Sequence, residues 1–329
     1  MTRRPLSSLV VFVLAAVLAS CASVAPHANR APVSDFGLGT TGNRLHYLDF
    51  GRTGDAVLLL AGPGNTAWIY DAFGQDLARE FRVFALTRRG HGQSDMPEHG
   101  YDQTTLVEDI RAFLDSRGLK RVHLIGASTA GEEVTRFASR FPDRVGSVIY
   151  LDAAYDRTAD VESGTPDRPD RPTPADRASI DAYVAYLVRT RGVDHAPTGV
   201  LQRNWRESVV MQADGKAGMK WGETQFREYM KSLTATAPDY SQLRAPALAI
   251  YSVGVPVDRL SRATPAVRAA ISKHLAQTVL PWRRTSIDQF KRGAPHGEVV
   301  ELDALHHPFL HRPAETAALV RQFLRKHRL

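Results

Sequence analysis

The chain has 329 residues, of which 43% are hydrophobic and 23% charged, which is typical of a globular protein with a substantial core. Its formal net charge of +7 is spread over short mixed clusters, and this argues against a nucleic-acid-binding surface. The single cysteine, Cys21, excludes an internal disulfide bond.

The N-terminus has the pattern of an export signal. Positive residues in "MTRRP" precede an uncharged, mostly apolar run over 6–19, which is shorter than the ~20 residues of a membrane-spanning helix. The run ends in "LASC" and resembles a bacterial lipoprotein signal, in which cleavage precedes the cysteine and lipid is attached to it; an ordinary secretory signal is the alternative. We therefore expect a signal peptide over 1–20, a lipid anchor on Cys21, and a tether over 21–34. The protein would then be held at a bacterial membrane, facing the periplasm.

Strand and helix patterns alternate through the first half of the remaining chain. Strand patterns cover 44–50, 56–62, 82–90, 121–126 and 146–154, and helical patterns cover 66–81, 104–119 and the residues after Ser128. This alternation predicts an α/β fold with a mainly parallel central sheet flanked by helices.

The alternation stops after Ala154 and returns near residue 246. A loop rich in Pro, Asp and Arg over 156–177 precedes helical patterns at 179–192 and 223–236. Strand patterns at 246–252 and 297–304 and a helical pattern at 313–328 complete the chain. We predict a core formed by 35–155 and 241–329, with an inserted helical cap, residues 156–240.

The stretch "HLIGASTAGEE", 123–133, predicts a strand that turns sharply into a helix with Ser128 at the turn. A nucleophilic serine in such a turn normally reads G-x-S-x-G, because the residues two before and two after it must be small. Gly126 fits this requirement, Ala130 adds one methyl group, and Gly131 leaves the next position open. A serine that only caps the helix is the alternative.

A serine needs a base, and "VVELDALHHPFLHRP", 299–313, supplies histidines after a late strand. Here the chain resembles the α/β-hydrolase superfamily over nearly its whole mature length. "RRGHGQSD", 88–95, is similar to the R-G-x-G-x-S turn of that family, and the cap follows the sixth strand as in family members. The resemblance implies that His306 is the base and that His307 and His311 are wall or surface residues.

The acid of the resembled triad has two main candidates. Asp152, in "IYLDAAYD", ends the strand after the serine helix, whereas Asp258 follows the later strand on which many family members carry the acid. Asp258 lacks the usual G-x-x-D spacing. The chain also resembles, through "AGEE", "LDAAY" and "PALAIY", a subgroup with no clear acid after the later strand, so we favour Asp152 and keep Asp258 as the alternate. Asp156 is a more distant candidate.

The resemblance also implies an oxyanion hole made of two backbone N–H groups. One belongs to Thr129, and the other lies in the loop "AGPGNTAW". Pro63 has no N–H, so Gly62 or alternatively Gly64 is expected to supply the second donor. Ala61 stands where the family usually has a histidine.

These features predict a serine hydrolase that cleaves a carboxylic ester or related acyl bond of a small molecule, with no cofactor, metal or nucleic acid. Alternatives are a proline-iminopeptidase-like aminopeptidase, a hydrolase-like protein that only binds, and an oxidoreductase using "GPGNTA" as a dinucleotide loop. The aminopeptidase would need an acid in the cap, and neither Asp181 nor Glu223 can be assigned to it. Apolar cap residues expected either to line the acyl pocket or to pack the cap are Tyr183, Tyr186, Leu187, Trp205, Trp221 and Phe226.

Overall fold

The computed structural model describes residues 31–51, 53–159, 171–191, 198–254 and 264–329. The predicted signal peptide, Cys21 and Asp258 lie outside these ranges. Within them, no helix combines the length and the apolar character needed to cross a bilayer.

An eight-stranded sheet has the order β1-β2-β4-β3-β5-β6-β9-β10. Its first three strands pair antiparallel and the others parallel, which confirms the predicted mainly parallel sheet. The strands are β1 Val33–Leu38, β2 Arg44–Asp49, β3 Ala56–Leu60, β4 Arg82–Leu86, β5 Val122–Ala127, β6 Val145–Leu151, β9 Ala247–Ser252 and β10 Gly297–Leu302. A separate hairpin is formed by β7 Val209–Met211 and β8 Ala217–Met219.

Helices cover both faces of the sheet because its central strands are apolar on both sides. Strands β3, β5, β6 and β9 are buried at every position, and a large hydrophobic cluster lies on each face. The helices are α1 Asp71–Leu77, α2 Gln103–Ser116, α3 Ala130–Arg140, α4 Ile180–Arg191, α5 Thr198–Arg206, α6 Glu223–Leu233, α7 Pro265–His274, α8 Leu280–Gly293, α9 Pro308–His311 and α10 Pro313–Lys326.

The boundary between tether and core was predicted wrongly. Residues 33 and 34, assigned to the tether, belong to β1, which pairs with β2 from Val33↔Asp49 to Leu38↔Arg44. The segment "VSDFGL" contains Ser, Asp and Gly, which weaken a strand pattern, and only pairing with β2 makes it a strand.

Three other elements differ from the sequence patterns. The helix predicted over 66–81 is a 3₁₀ turn, Ala67–Tyr70, followed by the shorter α1. The cap contains the β7–β8 hairpin as well as helices. Helices α7 and α8 join through a π-helical turn, Leu275–Val279, in a segment for which no element was predicted.

The turn after β5 fits only because glycines let backbone segments approach one another. A Cβ on Gly131 would lie 2.2 Å from the carbonyl oxygen of Ala153, and one on Gly126 would lie 2.8 Å from that of Ala130. The methyl group of Ala130 itself is accommodated in a fully buried position. On the helix side of Ser128, the position that admits no side chain is thus Gly131, one residue beyond the second glycine of the usual motif.

We expect Gly131→Ala to destabilise the protein by about 1–3 kcal/mol, because the added methyl must displace the backbone at Ala153. Gly199→Ala is the matched control, since a Cβ on this α5 residue meets nothing within 4 Å and alanine favours helix. Thermal unfolding of both variants measures the difference. An unchanged melting temperature for Gly131→Ala would contradict the proposed close packing.

Candidate active site

Ser128 stands at the turn between β5 and α3 in a conformation that few non-glycine residues adopt. Its φ is 57°, and its N–H donates to the carbonyl of Leu151 at the end of β6 at 3.3 Å. The residue is half-buried, whereas the strand before it is fully buried. The turn therefore lifts the hydroxyl above the sheet edge and leaves it partly accessible.

His306 brings an imidazole to this hydroxyl from the loop between β10 and α9. Its Nε2 lies 2.9 Å from the Oγ of Ser128, and its Nδ1 lies 2.7 Å from Oδ2 of Asp152. A carboxylate only accepts hydrogen bonds, so Nδ1 carries the proton and Nε2 is left to accept from the serine. The side chain of His306 is 51% exposed and that of Asp152 is 5% exposed. This geometry suits a base that is open to solvent and an orienting acid that is not.

Asp152 is held by donors on every side of its carboxylate. Besides His306, its Oδ1 accepts from the Tyr155 hydroxyl at 2.5 Å and from the N–H of Ser252 at 3.0 Å. Burial alone would raise the pKa of this carboxyl, but the hydrogen bond from His306, with those from the other two donors, brings the pKa below its ordinary value. Asp152 is therefore ionised at neutral pH.

Asp156, the other acid candidate within the described residues, makes hydrogen bonds elsewhere. The Oδ1 of Asp156 accepts from the N–H and the hydroxyl of Thr158, and its own N–H donates to Ser286. Asp258, the alternate acid, lies outside the described residues. Tyr155 and the N–H of Ser252 were missed in the sequence analysis, although "LDAAY" carries the tyrosine three residues after the acid.

The two glycines considered for the oxyanion hole have different surroundings. Gly62 is buried against the nucleophile, and a Cβ there would lie 2.9 Å from Cβ and 3.2 Å from Oγ of Ser128. Gly64 has a φ of 80°, and the one atom within 4 Å of its added Cβ is in the cap residue Met219. The structure thus brings Gly62 into close approach with Ser128, whereas an added Cβ on the alternate Gly64 meets no atom of Ser128.

The two histidines near the base have supporting contacts. His307 packs edge-on to His306, with ring centroids 4.9 Å apart. Burial, with the neighbouring charge of His306, lowers the pKa of His307 to about 3, so it stays neutral. The Nδ1 of His311 accepts from the N–H of Leu305 at 3.3 Å, which helps to shape the loop that carries His306.

The cap residues predicted to line an acyl pocket are placed in different environments. Tyr186, Leu187 and Trp205 are buried in the hydrophobic cluster of the core. Tyr183 packs on that cluster, Trp221 packs on a smaller cluster around Tyr229, and Phe226 is 49% exposed.

The cap acids considered for binding a substrate amine point to the surface. Asp181 is ion-paired with Arg206, and Glu223 with Arg227, with all four side chains well exposed. Across the described ranges, His, Cys, Asp and Glu side chains form no group of three or more suited to a metal ion.

One contact that the sequence did not suggest joins the cap to the nucleophile turn. The hydroxyl of Tyr229, on α6, donates to Oγ1 of Thr129 at 2.5 Å. Beside it lies a buried ion pair between Arg88, which follows β4, and Glu133 on α3. The motifs "LTRRG" and "AGEE" contain these charges, but nothing in the linear sequence pairs them.

We expect Asp152→Asn to slow the reaction of Ser128 with a fluorophosphonate by about 10³- to 10⁴-fold, because an amide cannot hold His306 in the required tautomer. Asp258→Asn is the matched control. We expect it to change the rate of labelling by less than about twofold, because Asp152 and not Asp258 is expected to orient His306. Rates of covalent labelling followed by mass spectrometry measure both. A large loss in the Asp258 variant and none in the Asp152 variant would reverse the assignment of the acid.

Comparison with known proteins agrees with this architecture. A family model described as the alpha/beta hydrolase fold matches residues 55–190. The chain is 35% identical over 120 residues to a non-heme chloroperoxidase of Streptomyces lividans, covering 34% of this chain and 42% of that protein. It is 34% identical over 116 residues to a 2-hydroxy-6-oxononadienedioate/2-hydroxy-6-oxononatrienedioate hydrolase of Burkholderia vietnamiensis, covering 33% and 39%. The matched segments thus span about two fifths of these relatives.

A solved structure extends the likeness in fold to most of the chain. The crystal structure of an E-2-(acetamidomethylene)succinate hydrolase matches with a TM-score of 0.62 at 19% identity, covering 89% of this chain and 99% of that one. The predicted fold class is thereby confirmed: the chain has the α/β-hydrolase fold.

Proposed function

We propose that the protein is a serine hydrolase that cleaves a carboxylic ester or a related acyl bond. The observation that carries the proposal is the continuous hydrogen-bonded series from Ser128 through His306 to Asp152, with distances of 2.9 and 2.7 Å. A serine, a histidine and a buried carboxylate in this order form an activated nucleophile.

The first half of the reaction acylates the enzyme. The Oγ of Ser128 attacks the substrate carbonyl carbon while its proton passes to Nε2 of His306. The carbonyl electron pair moves to oxygen, and the N–H groups of Thr129 and Gly62 would stabilise the charge. The tetrahedral intermediate then collapses, and the leaving alcohol takes the proton from His306.

The second half of the reaction regenerates the free serine, with water as the attacking group and Ser128 as the leaving group. Water attacks the acyl group and gives a proton to His306, and the intermediate releases the carboxylic acid as Oγ of Ser128 regains its proton. Substrate and water are the only reactants in this scheme. Since both Ser128 and His306 are partly exposed, water can reach the acyl group.

The relatives support the general class of reaction. One of those described above is named as a hydrolase, and the solved structure of similar fold is named as a hydrolase as well. A serine nucleophile favours acyl transfer. Neither cap acid considered for the aminopeptidase reaction is free to bind an amine, and this favours an ester over a peptide substrate.

We expect purified protein to hydrolyse p-nitrophenyl butyrate and to react with a fluorophosphonate at Ser128. Ser128→Ala should abolish labelling and lower kcat by at least about 10⁴-fold, and His306→Ala should lower kcat similarly, because the two side chains act as a unit. Retention of labelling and hydrolysis by Ser128→Ala would refute the proposal. So would a wild-type protein that reacts with neither reagent.

A second Ser–His pair provides the control. The Oγ of Ser147 lies 2.8 Å from Nδ1 of His123, but both residues are fully buried. Ser147→Ala should therefore leave labelling and hydrolysis nearly unchanged, since no substrate reaches this hydroxyl.

We also propose that Cys21 carries lipid and holds the enzyme at the membrane. The support is the apolar run that ends in "LASC". In a bacterial host, the chain should incorporate labelled palmitate and fractionate with membranes, whereas Cys21→Ser should do neither. Equal labelling of the two proteins would contradict the anchor.

A further inference from the structure

The hydroxyl of Thr129 does not cap the helix α3, although the residue stands at its N-cap position. Thr129 is the N-cap of α3, where a threonine oxygen commonly accepts an N–H of the first helical turn. Here φ is −67° and ψ is −15°, and the side chain makes no capping hydrogen bond. Its oxygen accepts instead from the hydroxyl of Tyr229. The hydroxyl is thus committed to the cap and not to its own helix.

Tyr229, whose hydroxyl donates to this oxygen, is held firmly by its surroundings. The residue is fully buried, its ring contacts Trp221 edge-on at 5.3 Å, and the Arg88 guanidinium lies 5.4 Å from its ring centroid. Arg88 is fixed in turn by Glu133, one helical turn beyond Thr129. Burial raises the pKa of Tyr229 to about 12, so its hydroxyl keeps its proton over the working range of an esterase.

The direction of this hydrogen bond decides where the proton of Thr129 goes. Because Oγ1 receives the proton of Tyr229, the proton of Thr129 must point elsewhere. Only Cα and Cβ separate Oγ1 from the Thr129 nitrogen, whose N–H is the expected donor to the oxyanion. Thr129 follows Ser128 directly in the turn, and both residues are half-buried. A hydroxyl that already accepts a hydrogen bond is also a stronger donor.

We propose that the Thr129 hydroxyl is a third donor to the oxygen that becomes charged in the transition state, and that Tyr229 is the positioning residue that orients it. This inference rests on the proposed acyl-transfer function. The Thr129 hydroxyl would be a side-chain donor in addition to the two backbone donors. Its direction would depend on Tyr229 of the cap.

A purely structural role for the Thr129–Tyr229 bond makes a different prediction. If the bond only fastens α6 to the core, its loss lowers the stability of the cap and changes substrate binding, and KM and the melting temperature respond. If the hydroxyl contacts the transition-state oxygen, its loss lowers kcat with little change in KM, because the interaction forms only as charge develops.

The primary test compares Thr129→Val, which removes the hydroxyl at nearly constant shape, with Thr129→Ser, which keeps it. With p-nitrophenyl butyrate we expect kcat to fall about 10- to 100-fold in Thr129→Val, somewhat less than for loss of a main oxyanion-hole donor. KM should stay within about twofold, and Thr129→Ser should retain most of the wild-type kcat. Affinity for a boronic acid, which imitates the tetrahedral intermediate, should fall in parallel with kcat.

The second test removes the orienting hydroxyl. Tyr229→Phe should lower kcat about 3- to 10-fold, as Thr129 loses its fixed direction, and should add little further loss to Thr129→Val in the double variant. Tyr101→Phe is the matched control: this buried tyrosine belongs to the same small cluster, but its hydroxyl donates to the carbonyl of Pro97. It should lose a hydrogen bond without losing kcat.

The outcomes separate this inference from the function on which it rests. If wild-type hydrolysis does not depend on Ser128, the proposed function is wrong and the inference falls with it. If hydrolysis depends on Ser128 but Thr129→Val keeps its kcat and boronate affinity, the function stands and the third donor is refuted. A loss of kcat in Tyr101→Phe equal to that in Tyr229→Phe would refute the positioning role of Tyr229.

Discussion

Two residues in the left-handed region of backbone conformation determine the geometry of the site. Among the described residues, Ser128 and Asp152 are the non-glycine residues with positive φ, at 57° and 50°. Such conformations cost on the order of 1–3 kcal/mol each and persist only where the surrounding structure enforces them. Both residues follow fully buried parallel strands, and each is tied by its N–H to the next strand, Ser128 to Leu151 and Asp152 to Ile250. The buried sheet thus holds the strain that directs the side chains of Ser128 and Asp152 to the same edge.

Much of this arrangement follows from signals within short stretches of sequence. Continuous apolar runs predict buried parallel strands, and parallel strands bring their carboxyl ends to one edge of the sheet. Small residues around Ser128 predict the turn, and histidines after a late strand predict a partner that approaches this edge. The preference for Asp152 over Asp258 used the spacing after the later strand, together with the resemblance to a subgroup in which that strand is followed by no clear acid. Each inference uses physics that acts over a few residues, together with the resemblance to a known superfamily.

The rest depends on contacts between distant segments, which no local pattern encodes. Strand β1 exists because its backbone pairs with β2, although its side chains favour a strand only weakly. The donor from Ser252 to Asp152 is a backbone group, so its residue type carries no signal. Tyr229 lies 100 residues from Thr129, and a tyrosine in an amphipathic helix normally indicates packing. The resemblance named Gly62 before Gly64 as the oxyanion-hole donor, but the close approach of Gly62 to Ser128 is a contact between distant segments.

Contacts from distant parts of the chain reach both Asp152 and the turn at Ser128. Asp152 lies just before the cap, and Tyr155, which donates to it, also stacks on Trp282 of α8 at 4.3 Å. The far end of the cap reaches the nucleophile turn through Tyr229. A shift of α6 would therefore change the hydrogen bond that Thr129 accepts beside Ser128. In the proposed mechanism the Thr129 group helps to stabilise the developing oxyanion, so the packing of α6 and the reactivity of Ser128 would be physically coupled. Substitutions in the cap far from the substrate should then alter the rate of the chemical step as well as substrate choice.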